Sequence, residues 1–269
     1  MTDIQEKTVH TGEVQTHYWE AGAGRPMVLL HGGGAGADAW GNWNKVINQF
    51  VEKGFHVYAY DAIGFGETEK PDPNSFSYSQ EARVNQAIQF IDQLGIDKPV
   101  LVGNSMGGLT SLGVAIRKPE KISELILMGV GKPKADSSGF KSLLNYDIGK
   151  DYMYKIVRNL TNEDFEVSED MVDYRLRLTQ KPGAMEAYNA IMEGIVAFEF
   201  DDEDLKNIKN KAFLVHGKAD QMVPKERSYH LLETLENTWM YVMPHCGHWA
   251  MIEYPEEFVR VTSDFLQYH

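Results

Sequence analysis

The chain has 269 residues, 43% hydrophobic and 11% aromatic, which fits one α/β domain carrying an insertion and excludes a disordered chain. Its net charge of −13, from 39 acidic against 26 basic side chains, argues against nucleic acid or an anionic membrane surface as a partner. The lone cysteine, Cys246, cannot form an internal disulfide, the first residues lack an apolar signal core, and no apolar run reaches membrane-spanning length, so a cytoplasmic protein is expected.

In chain order, VQTHYWEAG (Val14–Gly22) alternates and ends in glycine, as an edge or antiparallel strand does. PMVLLHG (26–32), FHVYAYD (55–61), PVLVG (99–103), ELILMG (124–129), KAFLVHG (211–217) and WMYVMP (239–244) are short and continuously apolar, which suits strands buried on both faces of a parallel sheet. Helical spacing appears between them. Residues 79–94 carry Ala82, Ala87, Ile88, Ile91 and Leu94 on one stripe, 106–118 run to a stop at Pro119, and 256–268 close the chain with Phe258, Val261, Phe265 and Leu266 on one side. Alternating strands and helices predict an α/β fold with a mostly parallel, doubly wound sheet of about eight strands.

The alternation fails between about residues 131 and 200. Met153, Ile156, Val157 and Leu160 follow a helical stripe, Ser168 has the character of an N-cap with Glu169 and Asp170 in the first turn, and a further helix is expected over 184–197. The reading is therefore a core of 1–130 and 201–269 with a helical lid at 131–200, set above the sheet edge where ligands bind in such folds.

Chemistry concentrates at strand ends. VLVGNSMGGL (100–109) places Gly-x-Ser-x-Gly between a strand and a helix, the context of a nucleophile elbow, with Gly103, Gly107 and Gly108 small enough for a tight turn. A serine hydroxyl attacks only when a base takes its proton, and the base is a histidine oriented by a carboxylate. In this fold class the order is serine, acid, histidine. Asp220 follows KAFLVHG, and His245 and His248 compete after WMYVMP, with Gly247-His248 favoured. HGGGAG (31–36) can turn backbone N–H groups toward developing negative charge, so the amides of Gly33 and Met106 are the expected anion hole. A rival pattern, Gly32-x-Gly34-x-x-Ala37 with Asp61 ending the next strand, resembles a dinucleotide fingerprint. His31 in its turn and the hydrolase-like DAIGFGET after it argue against that reading. His245-x-x-His248 lacks acids or thiols in ligand arrangement, so no metal and no cofactor are expected.

HGGGAGADAWGNW, GNSMGG and PHCGHWAMIEYPEEF together resemble the α/β-hydrolase superfamily and, within it, the meta-cleavage product hydrolases. The likeness is greatest to the branch acting on 2-hydroxy-6-oxo-hexa-2,4-dienoates, including the carbazole-pathway type. The resemblance implies a triad of Ser105, Asp220 and His248, and an anion hole at Gly33 and Met106. It implies substrate contacts at Asn42, Asn104, Gly34 and Trp249. It also implies that Arg175 of the lid meets the polar 2-hydroxy-dienoate end, with Arg177 as the competing assignment. The implied reaction is hydrolysis of a carbon–carbon bond to 2-hydroxypenta-2,4-dienoate and a carboxylic acid. The same triad would equally serve a carboxylesterase or lactonase. A small-molecule substrate and a homodimer or higher homo-oligomer are implied as partners. Two departures stand out: Ala35, where many members carry proline, and the loosely similar YRLRLTQKPG.

Overall fold

The computed structural model describes residues 3–131 and 138–268, so 132–137 of the expected lid lie outside the described residues. Eight strands form one sheet: β1 (Gln5–Thr11), β2 (Val14–Gly22), β3 (Arg25–Leu30), β4 (Phe55–Tyr60), β5 (Val100–Asn104), β6 (Leu125–Met128), β7 (Ala212–Gly217) and β8 (Thr238–Met243). Their spatial order is β1-β2-β4-β3-β5-β6-β7-β8. β2 pairs antiparallel with β1 and β4, and every other pairing is parallel.

The helices are α1 (Ala39–Glu52), α2 (Gln80–Gln93), α3 (Met106–Arg117), α4 (Ser138–Leu144), α5 (Lys150–Leu160), α6 (Glu169–Thr179), α7 (Ala184–Ala197), α8 (Asp202–Lys206), α9 (Lys225–Thr234), α10 (Ala250–Glu253) and α11 (Pro255–Tyr268). Of these, α4 to α7 form the insertion between β6 and β7. No helix among the described residues is long and apolar enough to cross a membrane.

The central strands are apolar without alternation because the sheet has a core on each face. Side chains of a strand point alternately to opposite sides. Met27 and Leu29 of β3 join one cluster with Trp43 and Phe50 of α1 and Phe258 of α11. Val28 and Leu30 join the other, with Phe90 of α2 and Leu112 of α3. The first cluster continues into the insertion through Met153, Ile156, Val157 and Ile191, so the insertion shares a core with the sheet.

β2 is antiparallel, one of the two expected alternatives, and internal, because β1 covers its outer side. The two edge strands differ from expectation. β1 escapes a hydrophobicity reading because QEKTVHT is largely exposed. β8 is not buried on both faces: it is the far edge strand, and its residues Thr238 to Val242 are half-buried or exposed.

Chain order fixes where ligands can sit. From β3 the sheet grows one way to β4 and the other way to β5, so the loops leaving β3 and β5 diverge at a topological switch point. Those loops are HGGGAG and the turn at Ser105.

Candidate active site

Ser105 sits between β5 and α3 with φ 52° and ψ −113°. This backbone is strained for a residue with a Cβ. The flanking glycines permit it. A Cβ on Gly103 would lie 2.6 Å from the Gly107 carbonyl carbon, and one on Gly107 would run into the Leu30 carbonyl. The Ser105 side chain makes no capping bond, so it is not a plain helix cap; its amide donates to the Met128 carbonyl at 2.8 Å. Met106 opens α3, where first-turn amides lack intrahelical acceptors and the helix dipole favours negative charge. Gly33 lies against it: a Cβ there would come within 3.0 Å of the Met106 sulfur.

His248 Nδ1 and Asp220 Oδ2 are 2.7 Å apart, and both side chains are buried. Asp220 Oδ1 accepts from the amides of Met222 at 2.7 Å and Val223 at 3.0 Å. Burial works to raise the Asp220 carboxyl, but the adjacent His248 and the amides outweigh it and hold it below the usual range. A carboxylate so held fixes the imidazole with Nε2 available for proton transfer. His245 is exposed and offers only its carbonyl, to the Tyr254 hydroxyl at 3.0 Å. Of the two candidate histidines, the structure brings His248 to the acid.

One pocket gathers Ser105, Met106, His248, Gly33, Gly34, Asn42, Asn104, Arg175 and Trp249. Arg175, on α6, is 3% exposed. Its Nη2 donates to the Ala35 carbonyl at 2.8 Å, its guanidinium lies 5.1 Å from the Trp249 ring, and its buried Nε has no partner. Burial lowers the guanidinium pKa to about 10, with the charge of Asp38 opposing that shift. It stays charged at neutral pH, and leaving a buried charged donor without a partner is costly. Arg177 is exposed, over the Tyr174 ring at 5.8 Å, and does not line the pocket.

The asparagines differ from expectation in one respect. Asn104 donates to the carbonyls of Met128 and His248, each at 3.3 Å, and accepts from Asn42 at 3.4 Å. Its polar atoms tie β5 to the His248 loop, so it borders the pocket with its hydrogen bonds already directed at the protein.

The dinucleotide reading fails on Asp61. Its buried carboxylate accepts from the amides of Ala39 at 2.7 Å and Glu67 at 2.8 Å and meets His17 Nδ1 at 2.8 Å, which leaves it closed to a ribose. Cys246 is buried and burial pushes its thiol up, consistent with a packed residue. Among the described residues no group of three or more His, Cys, Asp or Glu could hold a metal ion.

Sequence reasoning missed Glu253. Its carboxylate accepts from the amides of Gly247 at 3.0 Å and Trp249 at 3.3 Å, and from the Asn162 amide at 2.8 Å and side chain at 2.6 Å. The His248 amide donates to the Leu160 carbonyl at 2.9 Å. One carboxylate thus joins the histidine loop to the end of α5. The sequence signal was an acid on the short helix just after the histidine, which periodicity cannot separate from a surface residue. The apolar lining was also unassigned: Phe140, Leu143, Leu160, Met192, Met222 and Val223.

Comparison with known proteins gives a consistent outcome. The family model for the alpha/beta hydrolase fold matches residues 25–255. A 2-hydroxy-6-oxo-6-(2'-aminophenyl)hexa-2,4-dienoic acid hydrolase of Metapseudomonas resinovorans is 39% identical over 97% of this chain and 90% of its own length. A 2-hydroxy-6-oxo-2,4-heptadienoate hydrolase of Pseudomonas putida is 32% identical over 97% and 95%. The crystal structure of a serine hydrolase involved in carbazole degradation superposes with a TM-score of 0.90 at 36% identity, covering 99% of this chain and 100% of that one.

Proposed function

The chain belongs to the α/β-hydrolase fold family, among the meta-cleavage product hydrolases, and from that premise we propose that it hydrolyses the carbon–carbon bond of 2-hydroxy-6-oxo-hexa-2,4-dienoates. The products are 2-hydroxypenta-2,4-dienoate and the carboxylic acid that carries the C6 substituent. The observation that carries this reading is Arg175, a buried guanidinium with an unpartnered Nε in the same pocket as Ser105 and His248. A simple ester has no group that needs it; a dienoate carboxylate does.

The residues divide the work as follows. A carbon leaving group departs only as a delocalised carbanion, so the dienol is first protonated at C5 to the keto form. Arg175 holds the anionic end, and His248 moves the proton. Ser105 then gives its proton to His248 and attacks the C6 carbonyl. The amides of Gly33 and Met106 receive the oxyanion. Collapse breaks the C5–C6 bond, the electron pair leaves on the dienolate, which takes the proton from His248, and an acyl-enzyme remains on Ser105. His248 takes a proton from water, which hydrolyses the acyl group. The insertion serves as the lid, and Phe140, Leu143, Leu160 and Val223 receive the C6 substituent. A cytoplasmic, homo-oligomeric enzyme is part of this reading; light scattering on the purified protein tests the oligomeric state.

Dienoates with varied C6 substituents and p-nitrophenyl esters, compared by kcat/KM, test the substrate. Dienoates are expected to win by orders of magnitude. The reverse order overturns the reading in favour of a carboxylesterase or lactonase.

A further inference from the structure

Helix α6 meets the glycine loop at three points. A Cβ on Gly36, whose φ is +66°, would run into the Arg175 backbone carbonyl. Arg175 Nη2 bonds the Ala35 carbonyl at 2.8 Å. The third point is Tyr174, whose hydroxyl donates to Asp38 Oδ2 at 2.5 Å. Asp38 is 5% exposed, and its other oxygen caps α1 by accepting the Gly41 amide at 2.7 Å. Gly41 is a glycine inside a helix, where glycine is ordinarily unfavourable. Here a Cβ would lie 2.7 Å from Asp38 Oδ1 and 3.3 Å from the Tyr174 ring, so glycine lets the two side chains meet.

The Asp38–Tyr174 bond is therefore a buried tie between the insertion and the loop that carries Gly33, made one residue before Arg175. We propose that Asp38, acting through Tyr174, is a positioning residue for Arg175: it seats α6 on the glycine loop and holds the guanidinium at the substrate's anionic end. This rests on the dienoate reading for its substrate and on the geometry alone for the seating.

Electrostatics make the tie responsive to pH. Burial, then the like charge of Asp61 beyond β4, raise the Asp38 carboxyl to about 7; the Tyr174 hydroxyl, the Gly41 amide and the Arg175 charge pull it down. Asp61 in turn faces His17 of β2, which also meets Glu6 of β1, and it feels His31. Above the Asp38 pKa the Tyr174 bond is charge-assisted and Arg175 faces an anion. Below it both attractions weaken. The hold on Arg175 therefore tightens as pH rises through about 7.

Tyr174→Phe removes one hydroxyl, and Asp38→Asn keeps the helix cap while removing the charge. The readout is the ratio of kcat/KM on a dienoate to that on a p-nitrophenyl ester, which cancels the titration of the shared triad. Tyr174→Phe should lower this ratio about tenfold, the loss of one charged hydrogen bond's worth of alignment. The wild-type ratio should rise between pH 6 and 8, on either side of a pKa of about 7, and the Asp38→Asn ratio should be flat. Hydrogen exchange of the α6 amides should quicken in Tyr174→Phe. An unchanged ratio with unchanged α6 exchange overturns the proposal, as does an equal fall on both substrates, which marks a purely structural role. Absence of dienoate turnover in the wild type overturns the substrate reading instead, and the exchange arm then decides the role of the pair alone.

Discussion

The sheet and the insertion hold their candidate functional residues in opposite ways. Ser105, Asp220 and His248 stand at the ends of β5, β7 and β8, each tied to backbone or to another member of the site. Arg175 stands on a helix of the insertion, held at one nitrogen and left unpartnered at another. A group whose orientation is fixed by the protein performs the same chemistry on whatever arrives. A buried charged donor left incomplete favours what completes it, because a complementary anion offsets more of its desolvation. On this account the sheet supplies the bond-breaking chemistry and the insertion supplies the identity of the substrate.

The largest test of this division is Ser105→Ala. Turnover of dienoates and esters should fall together, by about 10⁴-fold or more in kcat, with ligand affinity retained in binding assays. Retained activity on either substrate would break the shared-chemistry half. Next is Asp220→Asn, which leaves the imidazole unoriented and should cost about 10³- to 10⁴-fold on both substrates. Unequal losses would mean that the two substrates do not use the same base.

Glu253 sharpens the comparison because it belongs to both regions, bonding the His248 loop and Asn162 of the insertion. Glu253→Gln turns part of an acceptor among converging N–H groups into a donor. We expect about a tenfold fall in kcat on both substrates. A change in dienoate KM alone would instead assign Glu253 to substrate holding.

The smallest effect concerns stability. Asp38 in the folded protein titrates at about 7, against an unfolded value near 3.8. Between these values the folded state binds a proton that the unfolded state has lost, so this group's contribution falls as pH rises from 4 toward 7 and levels off above. Against Asp38→Asn, the wild type should lose stability across that window. Urea melts of the two proteins at pH 5 and 8 measure the difference; a wild-type stability that rises relative to Asp38→Asn from pH 5 to pH 8 would contradict the assignment.

The fold and the candidate catalytic positions were legible because their signals are local. An apolar run followed by Gly-x-Ser-x-Gly is enough to place Ser105, since strand, turn and helix are adjacent in the chain. Asp220 and His248 follow from the same strand-end logic. β1 was not legible, because an exposed edge strand has no apolar face to display. Nor was the split of β3 into two cores, visible only once the neighbouring helices are placed. Arg175 and Arg177 are both arginines of one helix, two residues apart. Only the docking of α6 on Gly36 and Ala35 decides which is buried. Asn104 looked like a substrate contact, but its bonds run to Met128 and His248. Such long-range partners leave no trace in spacing.

The most direct measurement is kcat/KM on a dienoate and on a p-nitrophenyl ester for Arg175→Ala beside Arg177→Ala. The account predicts that Arg175→Ala loses about 10²- to 10³-fold on the dienoate and far less on the ester, while the exposed Arg177→Ala stays within about twofold on both. Equal losses on the two substrates in Arg175→Ala, or a larger dienoate loss in Arg177→Ala, would contradict the claim that the insertion reads the substrate through Arg175.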